Sequence, residues 1–140
     1  MKQWSLLSSL LGLLLIACVT TSSQEKLTLN RVRAAGLPVP REEIASSALA
    51  GGLNVLPGIG NMYLGAVSEE KVQWAFGFLN LLFWPLSIVW GVPEAAIDAT
   101  TINEKYTAQY YMVGEGATQL DTAEQRKATP NPVPTIEEDR

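Results

Sequence analysis

The chain has 140 residues, of which ten are basic and 14 acidic, with one cysteine and no histidine. These counts exclude an intrachain disulfide, a His-dependent catalytic triad and any metal site that needs histidine, and an acidic chain without a basic cluster is poorly suited to nucleic-acid binding, which depends on neutralising phosphates. We therefore predict no catalytic residues, no metal or other cofactor and no nucleic-acid partner.

The first 17 residues have the organisation of a bacterial secretory signal peptide. Lys2 precedes a leucine-rich run that is too short to span a bilayer. The run ends in Leu15-Ile16-Ala17-Cys18, which resembles the lipobox of bacterial lipoproteins. The resemblance implies that Cys18 is acylated on its sulfur and becomes the first residue of the mature chain. The alternatives are an ordinary secretory signal with an unrelated cysteine, or an uncleaved anchor.

Lipidation at Cys18 predicts attachment to the bacterial cell membrane at its periplasmic or outer face. The residue after the cysteine is Val19 and not an aspartate, which resembles lipoproteins that are sent to the outer membrane of Gram-negative cells. A hairpin that spans the inner membrane would oppose that export, so the choice between inner and outer membrane stays open. Removal of residues 1–17 takes Lys2 away and leaves nine basic against 14 acidic residues.

Residues 18–43 are predicted to form a polar linker with one short helix. The stretch from Thr20 to Ser23 has the composition of a flexible tether. A helix that ends at Gly36 is indicated by four apolar residues, Leu27, Leu29, Val32 and Ala35. Pro38 and Pro40 predict an extended spacer after it.

Residues 44–92 are predicted to form a hydrophobic helical hairpin in the membrane. Ile44–Val67 is 24 residues long and Val72–Val92 is 21 residues long, both without a charge, and only Ser68-Glu69-Glu70-Lys71 separates them. The other interpretation is a buried helix pair in a soluble protein. A lipid anchor on the outer face would place the charged loop on the cytoplasmic side of the membrane. The positive-inside rule would instead place the basic residues of the linker on the cytoplasmic side, which is the opposite orientation. This conflict leaves open that the hairpin lies shallowly in one leaflet.

The second stretch is the stronger candidate for a span. Trp74 and Trp90 are 16 helical steps apart, or roughly 24 Å, which suits two interfacial belts. Pro85 is expected to kink this helix without abolishing it.

The first stretch is rich in small residues that would allow helices to approach closely. Ser46 and Ala50, Ser47 and Gly51, and Ala48 and Gly52 are spaced four apart. We expect a helix as far as Leu56 and a bend at Pro57-Gly58. Polar groups at membrane depth tend to be paired, so Asn54 and Asn61 are predicted to form interhelical hydrogen bonds with Asn80 or Gln73.

The sequence from Pro57 to Gly65, with an aromatic-rich helix, Trp90 and Asp98 after it, resembles the TM2-domain family over about Leu49 to Asn103. The resemblance implies two membrane helices around a glycine-aromatic motif, and no enzymatic activity common to the family. The chain departs from that pattern at Met62, where the family usually has phenylalanine.

We interpret the motif as structural, with Pro57, Gly58, Gly60, Tyr63 and Gly65 as its residues. Glycine permits positive φ and close helix approach. The Tyr63 ring is expected to pack on one side of the second helix, against Phe76, Leu79 and Phe83.

Residues 93–113 are predicted to form an amphipathic helix with Pro93 in its first turn. Its apolar stripe comprises Ala95, Ala99, Ile102, Tyr106, Tyr110 and Val113. Glu94 and Asp98 fall on the other faces, where two acids are ordinarily solvated and not a catalytic pair. Residues 114–140 are predicted to be a disordered acidic tail.

These elements predict an all-α fold, with a membrane-associated two-helix hairpin, an amphipathic helix and a disordered tail. The predicted function is that of a non-enzymatic envelope lipoprotein with a structural or adapter role. Its partners would be the lipid bilayer and a membrane or envelope protein, or a second copy of itself. The alternative is a small oligomeric membrane channel or transporter accessory subunit.

Overall fold

The computed structural model describes residues 19–84 and 86–129, and this part of the chain is all α-helical, as the sequence predicts. Its helices are α1 (Ser23–Ala35), α2 (Ser47–Leu53), α3 (Ile59–Val67), α4 (Val72–Leu82), α5 (Leu86–Val113) and α6 (Gly116–Ala128). The predicted signal peptide, Cys18, Pro85 and residues 130–140 lie outside the described residues.

Helix α5 is the axis of the fold, and the other five helices all contact it. Helix α2 runs antiparallel to α5: the Ser47 and Thr100 hydroxyls are 3.0 Å apart near one end, and Asn54 Nδ2 donates to the Gly91 carbonyl at 2.5 Å near the other. Helices α3 and α4 form an antiparallel pair beside them, because Gly58 lies against Gly77 and Gly65 lies against Trp74. As a result, the α2–α3 and α4–α5 connections lie at the same end of the bundle.

Two cores hold the helices together. The first lies between α2, α3 and α5 and is built largely of small side chains, which let the backbones approach closely: Ala45, Ala50, Leu64, Ala95, Ala99 and Ile102. The second joins α1 and α6 to the C-terminal half of α5 through Val32, Tyr111 and Leu120. Arg31 on α1 reinforces it with hydrogen bonds of 2.9 and 2.7 Å to Glu124 on α6.

The predicted linker is more ordered than its composition suggests. Helix α1 ends at Gly36, as predicted, and Gly36 has a left-handed φ of 78°. The flexible tether predicted at Thr20–Ser23 is wrong, because Ser22 caps α1 in a reciprocal capping box with Glu25. Buried Leu29 and Val32 then fix the helix to the bundle, which explains why a segment with so polar a composition is folded.

The hydrophobic hairpin of residues 44–92 is divided into shorter elements than predicted. The first stretch contains two helices, α2 and α3, with the expected break around Pro57-Gly58. The 21-residue second stretch is split between α4 and the first turns of α5. No helix in residues 19–84 and 86–129 combines the length and the apolar composition needed to cross a membrane.

The boundaries of the C-terminal helices also differ from those predicted. The amphipathic helix does not start at Pro93, which lies inside α5, seven residues after its beginning. Packing of Gly91 and Ala95 against α2 and α3 outweighs the hydrogen bond that proline removes. Residues 116–128 are helical and not disordered, because Leu120 is buried in the second core.

Gly60→Ala and Gly52→Ala form a matched pair that tests the close approach of α2 and α3. A Cβ at Gly60 would overlap the Ala50 carbonyl oxygen, whereas a Cβ at Gly52 would meet nothing within 4 Å. We expect Gly60→Ala to lower the free energy of unfolding by about 1–3 kcal/mol through overpacking. Gly52→Ala should raise it by about 0.5–1 kcal/mol, because alanine favours the helix. Urea unfolding of both variants in detergent measures this, and equal effects would contradict the fold.

Candidate functional site

A chain of hydrogen-bonded polar side chains runs through the interior of the bundle. Asn54 lies at the end of α2, where its Oδ1 accepts from the Gly60 N–H at 3.0 Å and its Nδ2 donates to Asn61 Oδ1 at 3.0 Å. Asn61, on α3, donates to Gln73 Oε1 on α4 at 2.9 Å and accepts from Asn80 Nδ2 at 2.9 Å. The predicted interhelical hydrogen bonds to Asn80 and Gln73 are therefore confirmed for Asn61. They are wrong for Asn54, which instead bonds to Asn61, the Gly91 carbonyl and the Gly60 N–H.

The chain ends on a carboxylate that the sequence analysis did not place in it. Gln73 Nε2 donates to Asp98 Oδ2 on α5 at 2.6 Å, and the Val19 backbone N–H donates to Asp98 Oδ1 at 3.0 Å. Asp98 and Gln73 are both completely buried. One carboxylate thus joins α4, α5 and the segment that precedes α1.

The hydrogen bonds of this amide network, defined as Asn54, Asn61, Gln73 and Asp98, all point the same way. Each side-chain amide donates to the next residue, and Asp98 accepts at the end. Chains with a common direction polarise one another and are strengthened by a low dielectric. Within residues 19–84 and 86–129, every buried side-chain nitrogen and oxygen has a hydrogen-bond partner. The side chains of the network therefore satisfy one another in the interior of the bundle.

The prediction that Glu94 and Asp98 lie on a solvated face is wrong, since both are buried. Burial, with the nearby Asp98 carboxylate as the second cause, raises the pKa of Glu94 from its ordinary 4.5 to about 7. Burial also raises the pKa of Asp98, while its hydrogen bonds from Gln73 and Val19 act in the opposite direction. The predicted apolar stripe holds at Ala95, Ala99 and Ile102 but fails at Val113, which is exposed.

The glycines of the motif lie where backbones and rings touch. Gly58 has φ of 83° and abuts the backbone of Gly77 on α4, so a side chain there would be both strained and obstructed. A Cβ at Gly65 would lie 2.6 Å from the Trp74 ring. Pro57 is buried in the turn between α2 and α3.

Tyr63 does not pack against Phe76, Leu79 and Phe83 as predicted. It faces the first core, on the opposite side of α3, and its hydroxyl accepts a hydrogen bond from the Ser46 N–H at 3.1 Å. This contact holds Ser46, the residue that caps α2, against α3, which the sequence pattern alone did not reveal.

The surface around the two same-end connections is apolar and aromatic. We call this region, formed by residues 47–67, 72–84 and 86–93, the charge-free end, because it contains no Asp, Glu, Lys or Arg. Large hydrophobic side chains exposed there include Val55, Leu56, Phe78, Leu81, Leu82, Phe83, Trp84, Val89 and Trp90. Such a concentration of exposed apolar surface marks an interaction or membrane site.

The described residues contain no group of three or more aspartate, glutamate, cysteine or histidine side chains arranged to hold a metal ion. The chain was compared with protein families, curated proteins and solved structures, and no family model, curated protein or solved structure matches it.

The raised pKa of Glu94 predicts a pH dependence of stability that is opposite to that of a paired carboxylate. A carboxyl group whose pKa is raised in the folded state stabilises the fold at low pH and loses this effect as the pH rises from about 4.5 to about 7. We expect the free energy of unfolding to be lower at pH 8 than at pH 5 by on the order of 3 kcal/mol.

Glu94→Gln tests this prediction, with the exposed residue change Glu69→Gln as the control. The free energy of unfolding, measured with urea across the pH range, should vary less with pH for Glu94→Gln than for the parent protein. Glu69→Gln should keep the pH dependence of the parent protein. A Glu94→Gln profile that keeps the slope of the parent protein would refute the assignment.

Proposed function

We propose that this protein is a non-enzymatic lipoprotein of the bacterial cell envelope, with a structural or adapter role at the membrane. Its lipid would be attached at Cys18, and the charge-free end would lie in the bilayer. The observation that carries the proposal is the separation of the bundle into the charge-free end and a charged end, which comprises α1, α6 and the C-terminal half of α5.

The separation is visible along α5. From Leu86 to Pro93 this helix has no charged residue, and its first two carboxylates, Glu94 and Asp98, are buried. Exposed and partly exposed charges begin one turn or more beyond, with Glu104 bonded to Arg33 and Lys105 bonded to Glu70. A surface of this kind matches the step in polarity between lipid and water.

The charged end supports the adapter part of the proposal. Helices α1 and α6 carry acidic and basic residues on their outer surfaces, and Arg31 forms ion pairs with Asp121 and Glu124. With the other end in lipid, α1 and α6 would face the aqueous compartment, where an envelope protein can reach them.

The membrane part of the proposal predicts binding to lipid without the acyl group. Residues 19–140, secreted behind a cleavable signal that leaves no cysteine, should require detergent for extraction and should float with phosphatidylethanolamine and phosphatidylglycerol vesicles. One acyl chain is a marginal anchor, so the charge-free end should contribute much of the affinity.

Val89→Glu and Val113→Glu form a matched pair for this test. Both valines are on α5 and are 82% and 86% exposed, but Val89 is in the charge-free end and Val113 is in the charged end. A carboxylate placed in lipid is costly, so Val89→Glu should weaken flotation roughly tenfold to a hundredfold. Val113→Glu should leave it unchanged. Equal effects of the two changes, or a parent protein that does not float, would overturn the proposal.

A further inference from the structure

The segment that follows the predicted cleavage site is fixed to the core of the bundle. The Val19 N–H donates to Asp98 Oδ1 at 3.0 Å across 79 residues of sequence, and the Val19 side chain packs against the first core. Gln73 holds the other oxygen of the same carboxylate at 2.6 Å. In the sequence, a single peptide bond therefore joins residue 18 to Val19, which is fixed to the buried Asp98. We call Asp98 the anchoring point.

The anchoring point lies at the boundary between the charge-free end and the charged end. From Asp98 to Leu86 is 12 helical steps of α5, or about 18 Å, and from Gln73 to Leu82 is nine steps of α4, or about 14 Å. The hydrocarbon part of one leaflet is about 15 Å deep, half of the usual core thickness. The charge-free end thus has the depth of one leaflet when it is measured from Asp98.

Trp74 lies at this same boundary. It follows Gln73 on α4, its ring packs on Gly65, and it is partly exposed. Trp84, in contrast, is at the opposite limit of the charge-free end, in the α4–α5 connection, and is 64% exposed. The two indole groups therefore report on two depths.

We propose that Asp98, by holding Val19 against the bundle, keeps the lipid-bearing residue 18 at the water–lipid boundary, so that the acyl group and the charge-free end enter the same single leaflet. This inference rests on the proposed function and adds an orientation and a depth to it. Asp98 is a positioning residue here: it fixes where the anchor leaves the protein. A flexible connection would leave the orientation of the bundle at the membrane undefined.

The first test measures the depth of two tryptophans in the acylated mature protein. Two single-tryptophan variants, one keeping Trp84 and one keeping Trp74 with the other tryptophans of the mature chain changed to phenylalanine, are reconstituted in phosphatidylethanolamine and phosphatidylglycerol vesicles. The mass of each protein shows that Cys18 carries lipid. Brominated lipids with bromine near the chain terminus or near the headgroup then quench the fluorescence.

Trp84 should lose more fluorescence to the deep bromines, and Trp74 should lose more to the shallow bromines. Shallow quenching of both would overturn the inference while leaving membrane attachment intact. Labelling of a Leu56→Cys variant by an impermeant thiol reagent from the far side of sealed vesicles would also overturn it, because the charge-free end would then cross both leaflets. A protein that fails to float with the vesicles would contradict the proposed function itself.

The second test measures how firmly Asp98 holds Val19. It compares changes of two carboxylates on α5, Asp98 and Glu94. A nitroxide on Thr20→Cys, which is exposed, should be immobilised in the parent protein. Asp98→Asn should make this label mobile, because Val19 and Gln73 donate to different oxygens of Asp98 and asparagine replaces one of these oxygens by an NH2 donor. Glu94→Gln, a buried change one turn away, should not.

A label that is equally immobile in both variants would refute the role of Asp98. If Asp98→Asn does not fold, the protection of the Val19 amide from hydrogen exchange in the unaltered protein decides the question. Fast exchange at that amide would overturn the inference.

Discussion

The amide of Asn61 is the point on which the bundle depends. It accepts hydrogen bonds from Asn54 and Asn80 and donates one to Gln73. One side chain on α3 is thus bonded to the end of α2 and to two positions along α4. The network that it centres ends on Asp98 of α5. Removing the Asn61 amide would leave Gln73 Oε1 and Asn80 Nδ2 without their partner, and an unpaired buried polar group costs about 1–3 kcal/mol. The positions of four helices are therefore tied to a single set of hydrogen bonds.

This arrangement suits the charge-free end, whose outer surface is apolar. Hydrophobic burial cannot hold helices together where the surroundings are lipid, and small residues in close contact and interhelical hydrogen bonds take its place. The charge-free end has both features. Gly58 abuts Gly77 and Gly60 abuts Ala50, while the amide network occupies the interior. The charged end is held differently, by a conventional core of Val32, Tyr111 and Leu120 and by surface ion pairs.

The sequence predicted local features well and long-range features poorly. The end of α1 at Gly36, the break near Pro57-Gly58 and the pairing of Asn61 with Gln73 and Asn80 follow from the properties of the residues themselves. Such signals are local, because glycine and proline restrict the backbone and buried amides need partners.

The errors arose where tertiary contacts outweigh local patterns. Pro93 indicated a helix start, but packing on both sides of it continues α5 through it. A polar C-terminal composition indicated disorder, but one buried leucine, Leu120, fixes α6. The burial of Asp98 could not be inferred from its spacing, because its partner Val19 is 79 residues away. A backbone N–H near the start of the linker and a lone acid beyond an apolar run carry no sign of such a contact in the sequence.

The unfolding free energy of Asn61→Leu tests most directly the central claim, that the amide network holds the bundle together. Leucine has the same number and branching of side-chain heavy atoms as asparagine but leaves Gln73 Oε1 and Asn80 Nδ2 without their partner. Asn30→Leu, on the exposed surface of α1, changes no buried contact. Urea unfolding in detergent should show a loss of roughly 3 kcal/mol for Asn61→Leu and almost none for Asn30→Leu. An Asn61→Leu protein as stable as its parent, or more stable, would contradict the account.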